Sequence, residues 1–179
     1  MNIRLNCSLI VAAFIVVSVT ACSDYKAQSN DAAAAAPTPR PAATPAKNLT
    51  AADIAKIKWL EGTWRGMDGD KPFFERYKFD GTTMIVQGIK EDLSPDGDPG
   101  QYELINGEFG KGEGDKRTAA SEITDEYVQF VPAVPGKSNS YRFHRRPNGS
   151  WQAILEWQAN DKRPAGNKIY SMEHWPLKK

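Results

Sequence analysis

From Leu49 onward the chain is a succession of short runs in which aromatic or β-branched residues alternate with polar ones, each run bounded by Gly, Pro, Asn or Asp. Alternation with period two suits a half-buried strand and does not produce the 3.6-residue stripe of a helix. Nine such runs are legible, near 62–66, 73–79, 82–90, 101–105, 119–123, 127–131, 140–146, 151–158 and 168–175. A sheet of that many strands must deal with its edges, and closure removes them. The expected fold is all-β, an antiparallel up-and-down β-barrel of eight or nine strands preceded by one short helix. A β-sandwich satisfies the same spacing and is the alternative.

The helix is expected just ahead of the first strand. Thr50 is placed as N-cap, Asp53 lies at N3 near the positive end of the helix dipole, and Leu49 faces Ile54 as a hydrophobic staple. It ends near Lys58. The best hairpin signal is Asn148-Gly149, since both residues tolerate positive φ. Its register stays open: a two-residue loop pairs Phe143 with Ile154, whereas a three-residue loop with a bulge pairs Phe143 with Ala153 and Arg145 with Trp151. The Gly- and Asp-rich segments 94–100 and 107–117 read as solvated hairpin ends or, alternatively, as flaps.

The first residues are of another kind. Arg4 in a polar start, an apolar run from Leu9 to Val19, and Val19-Thr20-Ala21-Cys22 read as a secretory signal peptide over residues 1–21. The apolar stretch falls well short of the roughly 20 residues that a membrane-spanning helix needs. The last four residues resemble the lipobox of bacterial lipoproteins, which implies lipidation of Cys22. The alternative is an ordinary signal peptide cut after Ala21, leaving Cys22 as a free thiol. Residues 22–47, rich in Ala and Pro, make an anchor and extended linker that buries no core, and residues 48–179 make the folded domain. Ser23, rather than Asp, after the anchor cysteine is what the lipoprotein resemblance associates with the outer membrane. The expected location is therefore the bacterial cell envelope, facing the periplasm.

Charge and composition narrow the function classes. The whole chain carries 23 Lys+Arg against 22 Asp+Glu, and Arg4, Lys26, Arg40 and Lys47 precede Leu49, as do Asp24 and Asp31. The folded segment thus holds no basic surplus, and no nucleic-acid partner is expected. Two Cys and two His leave too few ligands for a structural zinc site. No nucleophile elbow, phosphate loop or dinucleotide fingerprint occurs, so no catalytic residue and no cofactor is assigned. Asp68-Asp70 and Asp96-Asp98 sit in Gly- and Pro-rich segments and read as turn residues.

Trp59-Leu60-Glu61-Gly62-Thr63-Trp64-Arg65-Gly66 resembles the Gly-x-Trp opening of lipocalin-like barrels. More narrowly it resembles an uncharacterised bacterial family of lipocalin-like, calycin-type lipoproteins with a Trp-Leu-x-Gly-Thr-Trp opening. The resemblance implies that a helix precedes strand one and that Trp64 closes the barrel floor, with Gly62 letting the chain turn in closely. Thr124-Asp125-Glu126-Tyr127 is similar to a second lipocalin motif, with one residue too many. The arginine that such barrels pack on the tryptophan from the last strand has no counterpart between Lys168 and Trp175. The same opening is similar to that of nitrobindin-type haem-binding barrels, which implies a final-strand histidine on iron. His174 is in that strand, but its neighbours do not match, and a structural histidine near the barrel end is favoured.

Strand faces then select the candidate binding residues. In 73–79, Phe73, Glu75, Tyr77 and Phe79 share the aromatic face, while Arg76 and Lys78 take the other. A carboxylate on an inner face must be paired, hydrogen-bonded or protonated. Glu75 is therefore either a ligand anchor or a partner of Arg145, Tyr141 or Tyr77. In 140–146, Tyr141, Phe143 and Arg145 share one face and Arg142, His144 and Arg146 the other; arginines this close could read an anionic group, and a solvated outer face is the favoured reading. Trp151, Leu155 and Trp157 share a face, with Trp175 a candidate for the same cluster. The expected function is binding of a small apolar or amphipathic ligand inside the barrel, lined by Trp64, Glu75, Tyr77, Tyr141 and Arg145, with membrane contact through the lipid anchor alone. The alternative is a structural or interaction protein with a filled barrel, and a haem-binding or enzymatic barrel is a third, weaker reading.

Overall fold

The computed structural model describes residues 43–160 and 163–175. Cys22, the signal segment and the linker up to residue 42 lie outside the described residues. Helix α1 (Ala51–Lys56) and a 3₁₀ turn at Lys58–Leu60 precede ten strands: β1 (Gly62–Asp68), β2 (Lys71–Asp80), β3 (Thr83–Ile89), β4 (Gly100–Ile105), β5 (Glu108–Lys111), β6 (Thr118–Ile123), β7 (Tyr127–Pro132), β8 (Ser140–Arg145), β9 (Trp151–Trp157) and β10 (Gly166–His174). Each strand pairs antiparallel with its chain neighbours, and β1 pairs with β10 to close the barrel.

Nine of these strands lie where alternation places them. The tenth is β5, in the segment expected as a loop, so the count is ten rather than eight or nine. It has only four residues, with a glycine inside. It is held by a tight hairpin, in which Asn106 and Gly107 adopt φ of 51° and 77° and Ile105 pairs with Glu108. Gly110 lets β5 approach β6, since a Cβ there would lie 2.3 Å from the Thr118 carbonyl oxygen. The Asn148-Gly149 hairpin takes the three-residue loop: Phe143 pairs with Ala153 and Arg145 with Trp151, while Arg146 N–H donates to the Ser150 carbonyl at 2.8 Å.

The helix plugs one end, the floor. The Asp53 carboxylate accepts from the Thr50 N–H at 3.0 Å and its hydroxyl at 2.9 Å, and Leu49 packs against the core. Ile54, Ile57 and Leu60 are buried to 1% exposure or less, each contributing about 1.5–3 kcal/mol. Trp64 lies above them, its indole N–H donating to the Leu60 carbonyl at 2.7 Å. Around it Trp151 stands edge-on at 5.9 Å, and Trp59 reaches Trp151 at 6.4 Å. Trp175 does not join this cluster; it packs on Phe74, 5.2 Å away, outside the barrel.

The seam that closes the barrel is short. β1 and β10 are in register only at Trp64 with His174 and Arg65 with Glu173. Nearer the mouth the seam is held by side chains: Lys168 donates to Asp68 at 2.5 Å, and the Phe73 ring meets Tyr170 at 5.3 Å. Gly66 makes this contact possible, because a Cβ there would stand 2.2 Å from the Phe73 ring and 2.7 Å from the Met172 sulfur.

Candidate binding cavity

The lower half of the barrel is filled by its own aromatics, and the upper half is open. A cavity of about 570 Å³ faces the mouth, at the opposite end from α1. One wall is apolar, with Phe73, Leu155, Tyr170 and Met172 from β2, β9 and β10. These project inward because each occupies an alternate position on its strand, as Ala153 and Leu155 do on β9.

The facing wall is polar and comes from β2, β4, β5 and β8. Glu75 and Tyr77 are neighbours on the inner face of β2, and the Tyr77 hydroxyl donates to Glu75 Oε2 at 2.8 Å. The Tyr102 and Tyr141 hydroxyls are 2.9 Å apart, and Tyr141 lies 3.1 Å from Thr118 Oγ1. The Lys111 ammonium sits over the Tyr102 ring at 4.9 Å and the Tyr141 ring at 5.8 Å, an attraction of the cation for the ring faces. Among the described residues no carboxylate lies within ion-pair distance of Lys111.

Loss of water governs the protonation of these groups. Burial raises the Glu75 pKa, partly offset by the Tyr77 hydrogen bond and the charge of Lys111. Glu75 keeps some accessible surface because it faces the cavity, but the barrel wall takes most of its bulk hydration. Lys111 is exposed at the mouth, with its ammonium over the two rings; desolvation lowers its pKa and Glu75 opposes the shift. Burial pushes Tyr141 up to about 12 and raises Tyr77 and Tyr102 well above the ordinary phenol range. All three tyrosines are therefore neutral hydrogen-bonding groups at any physiological pH.

Three of the five expected ligand contacts meet here: Glu75, Tyr77 and Tyr141 line the cavity. Trp64 does not, because it lies beneath as part of the floor. Arg145 is exposed at the floor end and shares a shallow groove with Asp125 and Glu126. Phe143, two residues nearer the mouth, packs against Tyr77, Phe130 and Trp151. Glu75 is thus partnered by Tyr77, not by Arg145.

His174 is not in the cavity lining either. Its ring stacks on Trp64 with centroids 3.8 Å apart, the place that the lipocalin resemblance gives to an arginine. Gly62 is required there by its φ of 139°, whereas a Cβ would meet only ordinary contacts. Tyr102 and Lys111 are among the cavity residues that escaped the sequence reading. Tyr102 was legible as the inner position of Gln101-Tyr102-Glu103-Leu104, and Lys111 was lost with β5. The signal for both β5 and Lys111 was Asn106-Gly107, the same dipeptide that marks the β8–β9 hairpin.

No protein-family model, curated protein or solved structure matches the chain. Among the described residues no group of three or more His, Cys, Asp or Glu is placed to hold a metal ion. The cavity's chemistry is that of a few polar groups, Glu75, Tyr77, Tyr102, Lys111 and Tyr141, facing an apolar wall, with Asp68 and Lys71 at the rim.

Proposed function

We propose that this chain is a binding module that holds a small apolar or amphipathic molecule in its barrel. The observation that carries this reading is the open cavity of about 570 Å³, within the size range of small-molecule sites and built as they are, with few polar groups against apolar walls. A barrel alone would not suffice, since folds host many functions. The sequence adds the address: a lipid anchor on Cys22 and an Ala/Pro-rich tether would hold the domain at the bacterial envelope, facing the periplasm from the outer membrane. Membership of a lipocalin-like lipoprotein family is part of the same proposal and rests on the Trp59 to Gly66 segment.

The filled lower half favours a second reading. Trp64, Trp151, Phe109 and Phe130 are all within 1% of full burial, so half the interior is structural core. A purely structural or interaction protein would need no more than that, and the open upper half is then incidental.

Native mass spectrometry with an absorbance scan separates the two. The full chain carrying Cys22→Ser, secreted and purified without detergent, is expected to carry a small molecule or to take one up from a lipid panel. A bare mass with no uptake, together with function that survives Glu75→Ala and not changes in the loops, would leave the structural reading. A Soret band would instead revive the haem-binding barrel.

A further inference from the structure

The polar wall of the cavity has a donor surplus. Tyr102, Tyr141 and Thr118 contribute three O–H protons, and the two hydrogen bonds that link them use two. One O–H is left without an acceptor among the described residues. Beside the tyrosine pair stands the Lys111 ammonium, with three N–H donors, two aromatic faces and no ion pair. The Tyr77 proton is already given to Glu75.

Two other lysines reach the mouth, and neither competes. Lys168 is held by Asp68, and Lys71 lines the cavity only at its rim, exposed beside the β1–β2 turn and away from the tyrosine hydroxyls. Lys111 is thus the cation set beside the tyrosine hydroxyls, across from the apolar wall of Phe73, Leu155 and Tyr170. An acceptor that also carries negative charge satisfies both at once. A second negative charge would meet no further cation beside the tyrosine wall, Lys71 being exposed at the rim.

We propose that the cavity selects amphiphiles with one acid group, held by the Lys111 ammonium and the Tyr102/Tyr141 hydroxyls, with the apolar body against Phe73, Leu155 and Tyr170. The inference rests on the binding-module reading and narrows its ligand class. Glu75 borders the same wall, and one of its carboxyl oxygens is taken by the Tyr77 hydroxyl at 2.8 Å.

The test uses two fluorescent probes that share one ring skeleton: 1-anilinonaphthalene-8-sulfonate, which carries a single acid group, and N-phenyl-1-naphthylamine, which carries none. Both are titrated into the full chain bearing Cys22→Ser, and into the same chain with Lys111→Gln, Lys71→Gln or Leu155→Trp added. The expected result is one anionic probe per chain, with Lys111→Gln weakening it about tenfold and changing the neutral probe by less than about twofold. Lys71→Gln leaves both unchanged, and Leu155→Trp, which fills the cavity, weakens both. Thermal melting confirms that each variant folds, and Lys111 is exposed enough for its replacement to be mild. If Lys111→Gln weakens both probes alike, or neither, the acid preference is overturned while the binding module stands. If neither probe binds the unaltered cavity, the binding-module reading falls and the acid preference with it.

Discussion

The His174 imidazole lies over the Trp64 indole with ring centroids 3.8 Å apart and planes 27° from parallel. The two residues are cross-strand partners on β1 and β10, so the stack sits on the short ladder that closes the barrel. Trp64 is buried and His174 is exposed. The imidazole therefore acts as an outer cover for the floor tryptophan. His174→Ala is expected to cost about 0.5–1.5 kcal/mol, the range for a stacked aromatic pair beyond its area. Urea denaturation of His174→Ala, Trp64→Phe and the double variant measures it. An interaction energy near zero in that cycle would show that the ladder closes without the stack.

Glu75 makes stability depend on pH with a definite sign. Its folded pKa lies above the ordinary value of 4.5. Below that value both folded and unfolded chains hold the proton, and no penalty arises. As pH rises toward the shifted value the unfolded carboxyl ionises first, so stability declines until the folded one follows. Asp53 and Asp92, both shifted downward, act in the opposite sense and at lower pH. Relative to Glu75→Gln, the natural chain should lose stability in urea as pH rises above the ordinary carboxyl value of 4.5. Parallel curves for the two proteins would refute the raised pKa.

Gly66→Ala tests how the mouth is built. The new Cβ would meet the Phe73 ring and the Met172 sulfur, and overpacking of this kind costs about 1–3 kcal/mol. Phe73 can relieve the clash by swinging into the open cavity, which sets the cost at the low end and narrows the space. The expected outcome is a modest fall in melting temperature together with reduced uptake of N-phenyl-1-naphthylamine. A fall in stability with probe uptake unchanged would mean that the ring moves elsewhere.

Arg145→Ala is expected to do little. The side chain is exposed at the floor end, away from the cavity, and exposed positions of this kind change stability by about 0.5 kcal/mol or less. Probe affinity should match that of the unaltered chain. A clear loss of affinity would place the ligand at the floor end and overturn the assignment of the cavity.

How much of this was legible beforehand is clearest strand by strand. β2 and β8 were readable to the face, because Phe73-x-Glu75-x-Tyr77 and Tyr141-x-Phe143 alternate without interruption. The facing side chains then had only one side of the wall to occupy. Arg145 continues the same alternation and yet does not line the cavity, because period two specifies a side of the sheet and says nothing of depth. At the level of the floor that side is closed by Trp151 and Trp64, and a long basic side chain leaves through the rim. β5 was hidden for a different reason. Four residues with a central glycine carry almost no periodic signal, and the strand exists because β4 and β6 are present to pair with it.

By itself the sequence determined the all-β class, the short capped helix, nine of the strands and the inward face of Glu75, Tyr77 and Tyr141. These are properties of local alternation and turn chemistry, which act over a few residues. Only the tertiary structure decided the ten-strand closure, the filled floor beneath an open mouth, and the meeting of Lys111 with Tyr102 and Tyr141. Those depend on register around a closed ring, where each strand's depth is set by its neighbours and no single segment carries the information.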